Sequence, residues 1–194
     1  MTPECFTLAI DKLSSLSENE RVILSSYIEV KTFTKGELLL RQDEICKFIY
    51  FIVSGTVIYY QLNNDGEEIT TDFAFDGEWV TDNRSRITQT PSHINIKAWD
   101  NTQVIVIQQS DLDTLSGKIP SLERIVRLSI EKAYVKLAQC SIDLQTLSAE
   151  ERYQKLVVTS PQVFQKLPLY HIANYLGIAP KSLSRIRNKK TPSD

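Results

Sequence analysis

A run of donor-bearing side chains crowds the carboxy-terminal end of this chain: Lys181, Ser182, Ser184, Arg185 and Arg187, with Lys189 and Lys190 close behind. Amines, guanidinium groups and hydroxyls at this density suit an anionic polymer. Phosphates accept hydrogen bonds from all three, and arginine pairs bidentately with guanine edges. Ile178, Leu183 and Ile186 lie between them at helical spacing, and Pro180 suits a first helical turn, where its missing N–H costs nothing. Upstream, Leu169-Tyr-His-Ile-Ala-Asn-Tyr-Leu176 reads as a second helix. Ala173 is small enough for close helix approach, and Gly177 can take the positive φ of a tight interhelical turn. This spacing predicts a helix-turn-helix whose second helix, Pro180–Asn188, offers Lys181, Ser182 and Arg185 to the major groove of duplex DNA. Arg187, Lys189 and Lys190 would bind backbone phosphates. Ser184 reads equally well as a capping or packing residue.

Charge supports the same reading. Between Arg152 and Ser193 stand eight basic residues and no acid, whereas the whole 194-residue chain has a net charge of −2. Basic excess gathered at one end, on an otherwise acidic chain, suggests one nucleic-acid-binding end and one that binds something else.

Composition narrows the classes. A hydrophobic content of 42% is enough for a packed core. No apolar run is long enough to span a bilayer, and no basic-then-apolar leader opens the sequence. Cytoplasmic placement is expected. Cys5, Cys46 and Cys140 are odd in number and widely spaced, which suggests free thiols in a reducing compartment. With His93 and His171 the only imidazoles, no metal, iron–sulfur or haem site is expected. Asp76, Glu78 and Asp82 are neighbouring carboxylates with no nucleophile–base pair beside them, so no catalytic residues are assigned and an enzyme is not expected.

The elements that must position these groups follow from periodicity. Thr7 to Val30 reads as a helical lead-in, with Ser17-Glu-Asn-Glu20 as a capping box. From Val30 to Gln109 the pattern becomes strand-like. Leu38–Leu40, Phe48–Val53, Thr56–Leu62, Ile69–Phe75, Ile94–Trp99 and Val104–Ile107 are separated by Lys35-Gly36, Ser54-Gly55 and Asn63-Asn-Asp-Gly66 turns. Many short strands of this kind predict a barrel or double-sheet roll. Pro120 to about Leu147 then forms one long helix. Val126, Ile130, Ala133, Leu137, Cys140, Leu144 and Leu147 make a heptad seam along it, which predicts a homodimer. Ser148-Ala-Glu-Glu151 caps a new helix. The expected class is α+β: residues 1–119 a jelly-roll-like double-stranded β-helix sensor, 120–147 a dimerisation helix, 148–194 an all-α helix-turn-helix domain.

That order resembles the Crp/Fnr (cAMP receptor protein/Fnr) family of transcription regulators. Lys35-Gly-Glu-Leu-Leu-Leu-Arg-Gln-Asp43 and Ile49-Tyr-Phe-Ile-Val-Ser-Gly-Thr-Val57 resemble the opening of its cyclic nucleotide-binding domain. The resemblance implies a DNA-reading dimer, with RNA polymerase as a further partner. It also implies an effector pocket, in which a Gly-Glu pair holds the ribose and a later arginine, followed by a hydroxyl residue, neutralises the cyclic phosphate. Gly77-Glu78 takes the first position. Alignment on Ala98, Asp100 and Val104–Ile107 puts Ser92 where the arginine belongs and His93 where the hydroxyl belongs. Arg84 and Arg86 lie in the intervening segment. A buried phosphate without a cation is poorly compensated, so cAMP and cGMP are not expected ligands. The short tail after Asn188 resembles members that lack a two-stranded wing. The alternative is a ligand sensor or protein-interaction module without sequence-specific DNA binding, which would show no salt-dependent affinity for duplex fragments.

Overall fold

The computed structural model describes residues 4–188. The lead-in resolves into two short helices, α1 (Glu4–Asp11) and α2 (Glu18–Ser25). Helix α2 starts on the expected capping box: the Ser17 hydroxyl accepts from the Glu20 N–H, and the Glu20 carboxylate accepts from the Ser17 N–H. The chain turns extended by Glu29, earlier than the sequence pattern suggests. Strand β1 (Glu29–Phe33) exposes four of its five residues and buries only Phe33, so it lacks the alternation that marks a strand.

Among the described residues, eight strands form two four-stranded antiparallel sheets. β1, β3 (Phe48–Ser54), β6 (Trp79–Val80) and β8 (Thr102–Gln108) form one in the order β1-β8-β3-β6. β2 (Leu38–Leu40), β4 (Thr56–Leu62), β5 (Glu68–Phe75) and β7 (Asn95–Ala98) form the other in the order β2-β7-β4-β5. Register follows apolar pairing: Phe51 opposite Ile105 and Ile52 opposite Val104 in one sheet, Val57 opposite Ala98 in the other. One core cluster joins Phe33, Tyr50, Ile52, Val57, Ile96 and Val104 between the sheets. A second packs Phe6, Ile10 and Leu24 onto Phe51, Ile105 and Ile107, with Leu115, Leu122 and Ile125 completing it. This is the double-sheet roll that the strand count predicts.

Gly55, in the β3–β4 turn, has φ +118°, and a Cβ there would lie 2.5 Å from Thr102 Oγ1 and 2.7 Å from Thr102 Cα. Only glycine fits so close an approach of two backbones.

Between β6 and β7 the chain forms α3 (Asn83–Thr88), in the segment to which the sequence pattern assigns no element. Asp82 caps it, accepting from the Ser85 N–H. After β8 come α4 (Gln109–Lys118) and α5 (Pro120–Thr146), the latter 27 residues long and within one residue of its expected end. Then come α6 (Ala149–Thr159), α7 (Val163–Lys166), α8 (Leu169–Tyr175) and α9 (Pro180–Asn188).

By internal contacts the described residues divide into two units. One holds the chain up to Gln61 with Phe73–Ala133; the other holds the hairpin tip Leu62–Asp72 with the residues from Tyr134 onward. The division falls inside α5. No helix among the described residues is long and apolar enough to cross a membrane.

Candidate nucleic-acid interface

Helix α6 begins on the second expected box: the Ser148 hydroxyl accepts from Glu151 N–H and the Glu151 carboxylate accepts from Ser148 N–H. Hydrogen bonding to the carboxylate from the Ser148 side chain, first, and then from its backbone N–H holds the Glu151 carboxyl below its ordinary pKa. Leu156, Val163, Leu167, Ile172, Ala173, Leu176 and Leu183 are the buried apolar residues of α6 to α9. Ala173 is wholly buried, as close helix approach requires.

The turn after α8 is a Schellman motif. Ile178 N–H donates to the Ala173 carbonyl at 3.0 Å and Gly177 N–H to the Asn174 carbonyl at 2.9 Å, with Gly177 at φ +67°. Ser182 and Leu183 N–H groups then bond the Ala179 carbonyl, starting α9.

On α9 only Leu183 is buried, and Ile186 is half-covered. Lys181, Ser182, Ser184, Arg185 and Arg187 are all exposed. Lys181 and Arg185 are four apart and Ser182 and Arg185 three apart, so the three share one face. None of Lys181, Arg185 and Arg187 has an ion-pair partner among the described residues. The Ser184 hydroxyl donates to the Pro180 carbonyl at 3.1 Å, a bond within its own helix. Lys189 and Lys190 lie outside the described residues.

The basic excess counted along the sequence is not all available to a ligand. Arg152 donates to the carbonyls of Leu147 at 2.6 Å and Leu176 at 3.0 Å, satisfying two helix ends. Lys155 pairs with Asp143 and pulls that carboxyl below its ordinary pKa. What remains exposed is concentrated on α9.

Sequence reasoning gave no role to His171. It is fully buried on α8, its Nδ1 2.6 Å from Thr70 Oγ1, while Asn174 Nδ2 donates to the Glu68 carbonyl at 3.2 Å. These bonds attach the hairpin tip to α8. Two residues before the inward-facing Ala173 lies a different helix face, so local spacing does not mark His171 for burial.

In the roll, the four residues assigned to an effector pocket part ways. Gly77 (φ +83°) and Glu78 form the β5–β6 turn, where the exposed Glu78 carboxylate accepts from the Phe75 N–H at 3.0 Å. Ser92 is fully buried, donating to Asp82 Oδ2 at 2.8 Å and also bonding the Ile94 carbonyl at 2.9 Å. His93 is exposed. No hydrogen bond among the described residues joins Glu78 or His93 to Ser92. The carboxylate beside Ser92 is thus Asp82, whose place ahead of Asn83-Arg-Ser85 carries a readable capping signal. Arg84 and Arg86 sit on α3. Arg84 donates to the Pro91 carbonyl at 2.5 Å, and Arg86, 6% exposed, donates to Asn83 and Gln109 side-chain oxygens. Cys5, Cys46 and Cys140 are unpaired thiols.

Comparison with known proteins agrees with both ends of the chain. Residues 30–118 match the cyclic nucleotide-binding domain family. FixK2 from Bradyrhizobium japonicum shares the fold at a TM-score of 0.70 (20% identity, 84% of this chain and 83% of that one). A protein of Eubacterium rectale described as a transcriptional regulator of the Crp/Fnr family does so at 0.67 (16% identity, 90% and 83%). In sequence, the chain is 31% identical over 186 residues to the fumarate and nitrate reduction regulatory protein of Yersinia pestis, spanning 89% of this chain and 73% of that protein. An alignment of that extent takes in roll and reading head together, and on that shared combination the chain belongs to the Crp/Fnr family of DNA-binding transcription regulators.

Proposed function

We propose that this regulator works in the cytoplasm as a homodimer that lays α9 of each protomer in successive major grooves, about 34 Å apart. The observation that carries the reading head is the exposed, uncompensated basic face of α9 above a single buried leucine. Arg185 reads a guanine, Lys181 and Ser182 contact a base or a phosphate, and Arg187 binds backbone, with Lys189 and Lys190 continuing the phosphate contacts. RNA polymerase is the proposed onward partner.

The second copy is argued from α5. Its first turns are used within the chain: Leu122 and Ile125 are buried and Val126 packs against the same core cluster. Farther along, the seam is uncovered, with Leu137 69% and Leu144 50% exposed and Tyr134 70% exposed beside them. Apolar surface at heptad spacing matches the same surface on another copy.

The effector is proposed to be something other than cAMP or cGMP. Ser92 has no charge to offer a cyclic phosphate, and the Asp82 carboxylate bonded to it would repel one.

The test uses duplexes selected from a random pool, with affinity measured by fluorescence anisotropy at several salt concentrations. Arg185→Ala is expected to cost about 1–3 kcal/mol and to relax preference at one base pair. Lys181→Ala, if it contacts phosphate, weakens all sequences alike and lowers the salt slope by about one. Equal, sequence-blind losses for both would remove the base-reading role from Arg185.

A further inference from the structure

A cleft of about 560 Å³ opens on the roll between α3 and the start of α4, with Lys47, Arg86, Gln89, Gln109, Ser110 and Asp113 among its walls. It does not include the four residues read above as an effector pocket.

Arg86 is the unusual member. Its side chain is almost wholly removed from water, yet no carboxylate lies within ion-pairing distance of it among the described residues. Nη1 donates to Gln109 Oε1 at 2.5 Å and Nη2 to Asn83 Oδ1 at 2.8 Å, both neutral amides, while Nε has no hydrogen-bond partner. Burial pushes its pKa down, and outweighs the opposing pull of Cys46 and Asp113. Buried charges are ordinarily paired, and an unmade bond on one is costly. Gln109 is held in orientation by donating its own amide to Asp113 Oδ1 at 3.0 Å, and that carboxylate acts on the guanidinium through space without forming an ion pair.

Two further features mark the cleft. Gln89 closes α3 in the left-handed region at φ +54°, where glycine or asparagine is the ordinary choice, and its Nε2 donates to the Arg86 carbonyl at 2.6 Å. Strain of this kind gathers at ligand clamps. Exposed Lys47 supplies a second cation with no ion-pair partner among the described residues. Its carbonyl accepts from the Gln109 N–H at 2.8 Å, which fixes the two walls together.

We propose that this cleft binds a small oxyanion-bearing metabolite, carboxylate or phosphate, with Arg86 as the buried anchor and Lys47 at its edge. The volume exceeds a bare ion and falls within the roughly 300–1,000 Å³ of small-molecule sites. Amides and the Ser110 hydroxyl would serve the polar remainder of the ligand.

The experiment follows backbone amide shifts in the full-length protein, without DNA, on titration with inorganic phosphate and separately with succinate. Sodium chloride at matched ionic strength is the control. Saturable shifts at Gln89, Gln109 and Ser110, with half-saturation near about 1 mM or tighter, are expected for at least one oxyanion, and the arm that saturates names the chemistry. Lys47→Glu is expected to weaken that binding about tenfold or more while leaving the thermal midpoint of the roll in place. Arg86→Gln abolishes it. Should Arg86→Gln fail to fold, the Lys47 variant still decides. Shifts reproduced by chloride, no saturation with either oxyanion, or unchanged affinity in Lys47→Glu would each overturn the proposal.

Discussion

Leu183 and Gly55 show how much can rest on one side chain, or on its absence. Leu183 has no exposed surface although both neighbours, Ser182 and Ser184, are in solvent, so it is the main anchor of α9, with half-covered Ile186 beside it. Leu183→Ala removes most of that contact and is expected to destabilise the carboxy-terminal helices by about 2–5 kcal/mol. Thermal melts followed by circular dichroism should show an early loss of helix, with DNA affinity falling in parallel. Gly55→Ala acts through the opposite defect. The added carbon meets Thr102 backbone rather than a flexible side chain, at a φ that L-residues avoid. A loss of roughly 2 kcal/mol or more is expected in the roll. The emission of Trp79 and Trp99, both in that unit, reports it; a melt unchanged from the parent would refute the close-approach argument.

At the scale of elements, the two capping boxes make helix starts sensitive to acid. Glu20 and Glu151 both have lowered pKa values, Glu20 chiefly through the Ser17 backbone N–H and Glu151 chiefly through the Ser148 hydroxyl. A carboxyl whose folded pKa is depressed stabilises the fold fully above its unfolded pKa, and loses that contribution as pH falls through the depressed value. Helix content is therefore expected to hold on acidification to the ordinary glutamate range and to decline below it. Ser148→Ala should lower stability by about 1 kcal/mol at neutral pH. It should also remove part of the acid dependence, because Glu151 loses the larger bond from the hydroxyl and keeps only the one from the residue-148 N–H. An acid titration followed by far-ultraviolet circular dichroism, with the variant tracing the parent curve at every pH, would exclude this role for the box.

For the whole molecule, the proposed mode of action requires α5 to find a second copy. Its inner turns are committed to the roll, and its outer turns carry Leu137 and Leu144 half-exposed or more. Leu137→Glu places a charge in that seam without touching the core. Sedimentation is expected to report a monomer of unchanged melting behaviour. Its affinity for a two-half-site duplex should fall about 10²–10⁴-fold, since the second head no longer binds intramolecularly. A variant that stays dimeric would put the interface elsewhere.

Much of this was legible before any coordinates. The long helix, both capping boxes, the glycine turns and the two helices of the reading head depend on residues within a few positions of one another. Short-range hydrogen bonds and apolar spacing decide such features, and those are written locally. Strand β1 was missed because an edge strand with one buried residue has no periodicity to read. The pairs that define the roll's polar interior were missed for a different reason. Ser92 meets Asp82, and Arg86 meets Gln109, only because α3 folds back and sheet register brings distant segments together. Charge counting has the same limit. Arg152 and Arg185 are identical in sequence terms, yet one is used on helix-end carbonyls and the other left to solvent. What a residue is and what it does locally belong to the sequence; what remains free to bind is a remainder left after packing, and packing is a property of the folded chain alone.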